Sequence, residues 1–348
     1  MLETDDIENL YEDNFYYESS TQLLGSCVFG TFNSLQHNLL LTFGLTIVQR
    51  IVVSIVLLPL AIRNVLVALL GVVLLFSWEE IPDGVPNIFV LFSLSFAFLA
   101  TRSFPHTQTF GILTTTVCCL ILISLEFLLP GEDFTYRGML MIFTMKISCL
   151  SFDLGQHKYT VEMTEVLGYL LNPATLLFGP ALPLPFYRDS FKTPSIYSAL
   201  TSSLQSFAYL ILSLIFVSVS SCSSLFFPDT GVLHNYADAQ SFRFSHFFIC
   251  YWSQALTVLS GISSPLIVDV LRIEFPRSLT EVVVVWNVPM HKYLYNYVYR
   301  RLRSLGSAIA VLATFVVSSL LHGFNGQLSA VLLSLDTHFI IVIAFIAL

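Results

Sequence analysis

Charge is what this sequence has least of. Asp, Glu, Lys and Arg make up 11% of 348 residues, against roughly 25% in an ordinary soluble domain. Two stretches, Thr193–Pro228 and Ser304–Leu335, contain none of the four, and about 20 apolar residues suffice to cross a bilayer. A soluble globular protein is therefore excluded. With only 15 Lys and Arg in the whole chain, no basic patch that could track phosphates can be assembled, so nucleic acid is not an expected partner. A cleaved signal peptide is also not expected: Glu3, Asp5, Asp6, Glu8, Glu12, Asp13 and Glu18 all precede the first basic residue, Arg50, where such a leader wants a basic start. There is no N-x-S/T sequon, no C-x-x-C pair, no G-x-S-x-G elbow, no H-E-x-x-H and no phosphate-binding glycine loop. The six cysteines lie mostly in apolar segments and read as small core residues. No fixed-period repeat supports a solenoid or an inverted-repeat transporter.

What the sequence does have is a series of apolar runs, which predicts an all-α, polytopic membrane bundle. The expected spans are 38–62, 65–78, 86–101, 108–129, 138–152, 196–227, 244–268, 305–321 and 328–348. Arg63, Arg102 and Lys158 fall on alternate connections, while the loops with Glu79, Glu80 and Asp83 and with Glu132 and Asp133 are acidic. Positive residues favour the cytosolic side, so residues 1–37 are expected to be an acidic lumenal segment and residues 38–348 the membrane domain. The run 166–186 is apolar but broken by Gly168, Gly179 and four prolines, with Lys158 before it and Arg188 and Lys192 after it. Basic residues on both sides predict a re-entrant segment, or else a kinked span. Irregular backbone at that depth must be covered by protein or line a cavity, and the re-entrant reading points to an internal chamber. Residues 269–303 are more polar, with six basic and three acidic side chains, and belong on the cytosolic side.

Two polar residues stand out. His322, in Ser-Ser-Leu-Leu-His-Gly-Phe, is the sole ionisable group in the run 304–335. An ionisable residue inside a membrane is a functional candidate by default, and histidine suits general-base work near neutral pH. The alternative is a neutral imidazole hydrogen-bonded between helices. Asn287, in Trp-Asn-Val-Pro-Met beside the apolar 282–285 run, either orients a reacting group or caps a helix before Pro289. His106, His157, His246 and His291 fall near span ends and read as interfacial. Arg50 can snorkel, and Lys146 and Glu126 on neighbouring spans read as a structural pair.

An Asn in a Trp-Asn pair, followed some 35 residues later by a His that ends an apolar helix, resembles the membrane-bound O-acyltransferases. The stretch 277–298, Arg-Ser-Leu-Thr-Glu-Val-Val-Val-Val-Trp-Asn-Val-Pro-Met-His-Lys-Tyr-Leu-Tyr-Asn-Tyr-Val, carries the likeness, as do Leu-His-Gly-Phe324, residues 330–335, Met145–Leu154 and Phe178-Gly-Pro180. Leu321, rather than tryptophan, precedes the histidine, which sets the chain apart from the family's phospholipid enzymes. The resemblance is to those members that move palmitoleate from its coenzyme A thioester onto a serine of secreted Wnt proteins in the endoplasmic-reticulum membrane. It implies His322 as general base, Asn287 as the positioning group, and a lipid-embedded tunnel walled by Trp286, Leu321, Phe178 and Gly179. Palmitoleoyl-CoA is then a co-substrate, with no resident cofactor and no metal required, and the membrane domain is expected to be incomplete at its C-terminus. The rivals are an acyltransferase for lysophospholipid or another secreted protein, and a non-catalytic transporter or lipid-binding or Wnt-binding relative.

Overall fold

The computed structural model describes residues 20–102, 107–128, 136–192, 195–227 and 230–322. Among them there is no strand, and the helices run α1 Ser20–Ser54, α2 Leu60–Ser77, α3 Val85–Ala100, α4 Gln108–Leu128 and α5 Arg137–Gly155. Three short helices follow, α6 Met163–Leu170, α7 Pro173–Leu176 and α8 Leu184–Asp189, and then two long ones, α9 Ile196–Cys222 and α10 Val232–Leu259. The described residues end with α11 Val270–Glu274, α12 Leu279–Trp286, α13 Val288–Tyr293, a π-helical turn over Leu294–Tyr299, and α14 Ser307–His322. Among the described residues, four helical stretches, Ser20–Ser54, Leu60–Ser77, Arg137–Gly155 and Tyr197–Phe226, are long and apolar enough to cross a membrane. The chain is a polytopic helical membrane protein. The expected last span, the Glu132 and Asp133 loop, His106 and the acidic cluster before Ser20 lie outside the described residues.

Helix α5 is the hub, with every residue from Ile142 to Gly155 buried. Its polar side chains must therefore find partners within the protein. Lys146 donates to Thr175 Oγ1 at 2.7 Å and to the Tyr169 carbonyl at 3.2 Å. That places an amine donor at the last turn of α6, whose carbonyls lack helical partners. The Glu126 side chain lies outside the described residues, and with it the expected Lys146–Glu126 pair; the described partners of Lys146 belong to the re-entrant unit. Asp153, also buried, accepts from Tyr159 at 2.9 Å, from Tyr297 at 3.1 Å and from Lys158. Tyr293 donates to Ser148 at 3.0 Å. The π-helical turn is thus bolted to the hub through phenol groups.

The breaker-rich run is three short helices joined by irregular backbone. Asn172 caps α7 by accepting from the Ala174 N–H at 3.0 Å, and a cis peptide joins Gly179 to Pro180, with Gly179 at φ +82°, a region open to glycine at little cost. The ends of the unit are clasped together, because Arg188 reaches Glu165 with two hydrogen bonds, at 2.6 and 2.8 Å, and the Thr160 carbonyl at 2.8 Å. Helix α2 crosses α6 at Gly71, where a Cβ would sit 1.7 Å from the Leu171 carbonyl oxygen.

Three expectations need correction. The first helix begins at Ser20 and ends at Ser54, displaced toward the N-terminus from the expected 38–62, because the polar stretch before Asn38 continues the same helix. The cysteines are not all core residues: Cys27 and Cys222 form a disulfide between α1 and the end of α9, while Cys118, Cys119, Cys149 and Cys250 are free. The span expected at 244–268 is α10, which starts at Val232 and stops at Leu259, where Gly261 with φ +86° turns the chain.

Candidate active site

The site is assembled by the joint between α12 and α13. Ser278 caps α12, whose first turn runs Ser278-Leu-Thr-Glu281: the Glu281 N–H donates to Ser278 Oγ at 3.2 Å, and the Glu281 carboxylate reaches back to accept from the N–H of the preceding Arg277 at 3.0 Å. That N–H, with the Arg272 guanidinium at 2.6 Å, holds the half-buried Glu281 carboxyl below the usual carboxylate range. The helix ends at Trp286. Asn287 then adopts an extended conformation, φ −147° and ψ 88°, and caps α13 by accepting the Met290 N–H on Oδ1 at 3.1 Å, with Pro289 in the first turn. Two backbone bonds tie this joint to the preceding segment, Val288 N–H to Ile267 O at 2.9 Å and Asp269 N–H to Val285 O at 3.2 Å. The cap uses only one end of the carboxamide, leaving the amide N–H groups for other work.

Asn287 and His322 line one cavity of about 370 Å³, at the lower end of ordinary ligand sites. Its wall includes Leu177, Phe178, Gly179 and Pro180 from the re-entrant unit, Met141, Ile142 and Met145 from the hub, and Trp78, Glu80 and Ile81 from the turn after α2. Phe178 packs edge-on against Trp78 with ring centres 5.7 Å apart, and Ser253 on α10 donates to the Gly179 carbonyl. The sequence therefore singled out four residues that meet here, His322, Asn287, Phe178 and Gly179. The other two sit behind the wall. Leu321 is 1% exposed and packs with Met145, Cys149 and Met290, because adjacent residues on a helix point about 100° apart and only one of the pair can face the cavity. Trp286 lies against α10, its ring stacked on His246 at 4.2 Å.

His246 is the residue that sequence reasoning missed. Rather than sitting at an interface, it lies on the cavity wall with its ring nitrogen Nε2 2.9 Å from the Trp286 carbonyl and 3.4 Å from Cys250 Sγ. His246 and Arg137 are the charged or chargeable neighbours of His322. The available signal was the spacing His246, Cys250, Ser253, which puts these three side chains on one face of the helix. Among the described residues no three His, Cys, Asp or Glu side chains gather closely enough to hold a metal ion.

Residues 103–346 match the family described as MBOAT, membrane-bound O-acyltransferase. Among curated proteins the chain is similar to protein-serine O-palmitoleoyltransferase porcupine of Drosophila melanogaster, 34% identical over 225 residues, covering 57% of this chain and 42% of the relative. The Homo sapiens protein of that name is 34% identical over 239 residues, covering 57% of this chain and 50% of the relative. The Caenorhabditis briggsae protein is 30% identical over 261 residues, covering 71% and 57%. The chain spans about half the length of the curated relatives it matches. With the family match extending over most of the sequence and across the cavity-lining Asn287 and His322, the chain belongs to the membrane-bound O-acyltransferase family.

Proposed function

We propose that this protein is an O-acyltransferase that moves palmitoleate from palmitoleoyl-CoA to a serine hydroxyl of a secreted protein of the Wnt type, in the endoplasmic-reticulum membrane. The observation that carries the reading is the convergence of His322 and Asn287 on one cavity. In the proposed reaction His322 takes the proton of the serine hydroxyl as its oxygen attacks the thioester carbon. The C–S bond then breaks, and the departing coenzyme A thiolate recovers the proton from the imidazolium. The Asn287 amide N–H groups, free of the helix cap, donate to the carbonyl oxygen as it gains charge. His322→Ala removes the base and should cost a factor of about 100 to 10,000 in transfer while leaving palmitoleoyl-CoA binding largely intact. The check is transfer to a serine-containing Wnt peptide, with binding of the thioester measured in parallel. Near-normal transfer by His322→Ala would sink the base role, and transfer to lysophospholipid instead of the peptide would reassign the acceptor.

A further inference from the structure

Helix α10 holds the backbone of two separate pieces of the cavity wall. Ser253 grips the Gly179 carbonyl, and seven residues earlier, on the same face, His246 grips the carbonyl of Trp286. The second grip falls one peptide before Asn287. A carbonyl can only accept, so at 2.9 Å the His246 Nε2 carries the hydrogen and donates it. The neutral ring has one N–H, and it is committed here. The ring plane lies within 3° of the Trp286 indole at 4.2 Å, and Cys250 fills the next turn below it. Rotation about the Trp286–Asn287 link is thereby restrained from the tryptophan side, while the Val288 bond to Ile267 and the Met290 cap restrain it from the other.

We propose that His246 is a positioning residue for this site: its ring nitrogen fixes the Trp286 carbonyl and thereby sets the direction in which the Asn287 carboxamide enters the cavity. The inference rests on the acyl-transfer reading above. It gives His246 the work of holding the backbone, with the Nε2 hydrogen engaged by the Trp286 carbonyl, and the glutamine variant below tests whether the other ring nitrogen also does chemistry. It also explains why a histidine faces the cavity without an acidic partner among the described contacts: a side chain that both stacks and donates is needed at one point.

Two substitutions separate the stack from the bond. His246→Phe keeps a flat ring against Trp286 and loses the donor. His246→Gln keeps an N–H donor at about the position of Nε2 and loses the ring. A misplacement near 1 Å can cost about 100-fold, so His246→Phe should lower kcat by about 10- to 100-fold, with the KM for palmitoleoyl-CoA changed by less than about threefold. His246→Gln should recover most of that loss, and its kcat should keep the wild-type pH profile. Thermal unfolding of each purified full chain in detergent establishes that the variants fold. Wild-type kcat in His246→Phe would overturn the proposal. So would a folded His246→Gln as inactive as His246→Phe, since the ring nitrogen would then be doing chemistry that an amide cannot. If the unmodified chain transfers no acyl group, the acyl-transfer reading fails separately. The inference is then read from the structure of His246→Phe determined by electron cryomicroscopy: Asn287 displaced from the cavity wall supports it, and Asn287 unmoved overturns it.

Discussion

At the scale of single residues, the proposed mechanism gives Asn287 two duties that its two ends divide. Oδ1 caps α13, a contact worth about 1 kcal/mol when the residue is replaced by alanine, while Nδ2 is the end available to a thioester. Asp caps helices as well as Asn does, so Asn287→Asp should leave the melting temperature nearly unchanged. It also replaces the N–H donors with a carboxylate that repels a developing oxyanion, and loss of one such donor costs about 100- to 1,000-fold in kcat. Transfer assays and thermal melts on the same preparation test this, and an Asn287→Asp enzyme with wild-type turnover would leave the residue only its capping role. His322 was legible as the lone ionisable group in a long apolar run, and Asn287 as a polar residue directly after the short apolar stretch 282–286. His246 was not, for a physical reason. Asp238 and Arg243 made the apolar run seem to start at Phe244 and put His246 at its edge. In the fold the helix begins at Val232, and Arg243 pairs with Glu274 at 3.3 Å.

At the scale of elements, the re-entrant unit is the piece whose existence the sequence announced and whose packing it did not. Glycines and prolines in an apolar run signal irregular backbone, but the partners, Lys146 from the hub and Gly71 from α2, are far away in the chain and set only by three-dimensional contact. Gly71 gives a clean test. A methyl there would meet a backbone oxygen rather than a flexible side-chain tip, so α2 would have to move off the unit. Overpacking of this kind typically costs about 1 to 3 kcal/mol, and more where neither side can yield. At Gly44, in α1, a Cβ meets nothing within 4 Å, and alanine improves helix propensity by about 1 kcal/mol. Gly71→Ala should therefore lower the melting temperature of the purified chain and Gly44→Ala should hold or raise it. Equal behaviour of the two would mean that α2 does not lie against the re-entrant unit as closely as described. Because Leu177–Pro180 form part of the cavity wall, Gly71→Ala should also weaken palmitoleoyl-CoA binding.

At the scale of the whole molecule, composition alone established the helical membrane class, and the alternation of Arg63 and the acidic 79–83 loop suggested an orientation. The disulfide supplies a second, independent argument for that orientation. Arg50 and Arg63 lie toward one end of α1 and α2, and Arg188 and Lys192 lie just before α9. Cys27 and Cys222 sit at the opposite ends of α1 and α9, 195 residues apart in sequence. Basic ends favour the cytosol, and disulfides persist in oxidising compartments such as the lumen, so charge and redox chemistry both predict that the Cys27–Cys222 end of the bundle faces away from the cytosol. Pattern could not have paired these cysteines, because nothing local distinguishes Cys27 or Cys222 from the free ones. In sealed microsomes with the cytosolic face outward, a reductant that cannot cross the membrane should leave the Cys27–Cys222 bridge intact. After the membrane is opened with detergent, the same reductant should release both thiols, read as two additional maleimide-polymer adducts on a gel and as none in the Cys27→Ser, Cys222→Ser double variant. Opening of the bridge in the sealed vesicles would invert the orientation, and with it the side from which each substrate reaches the cavity.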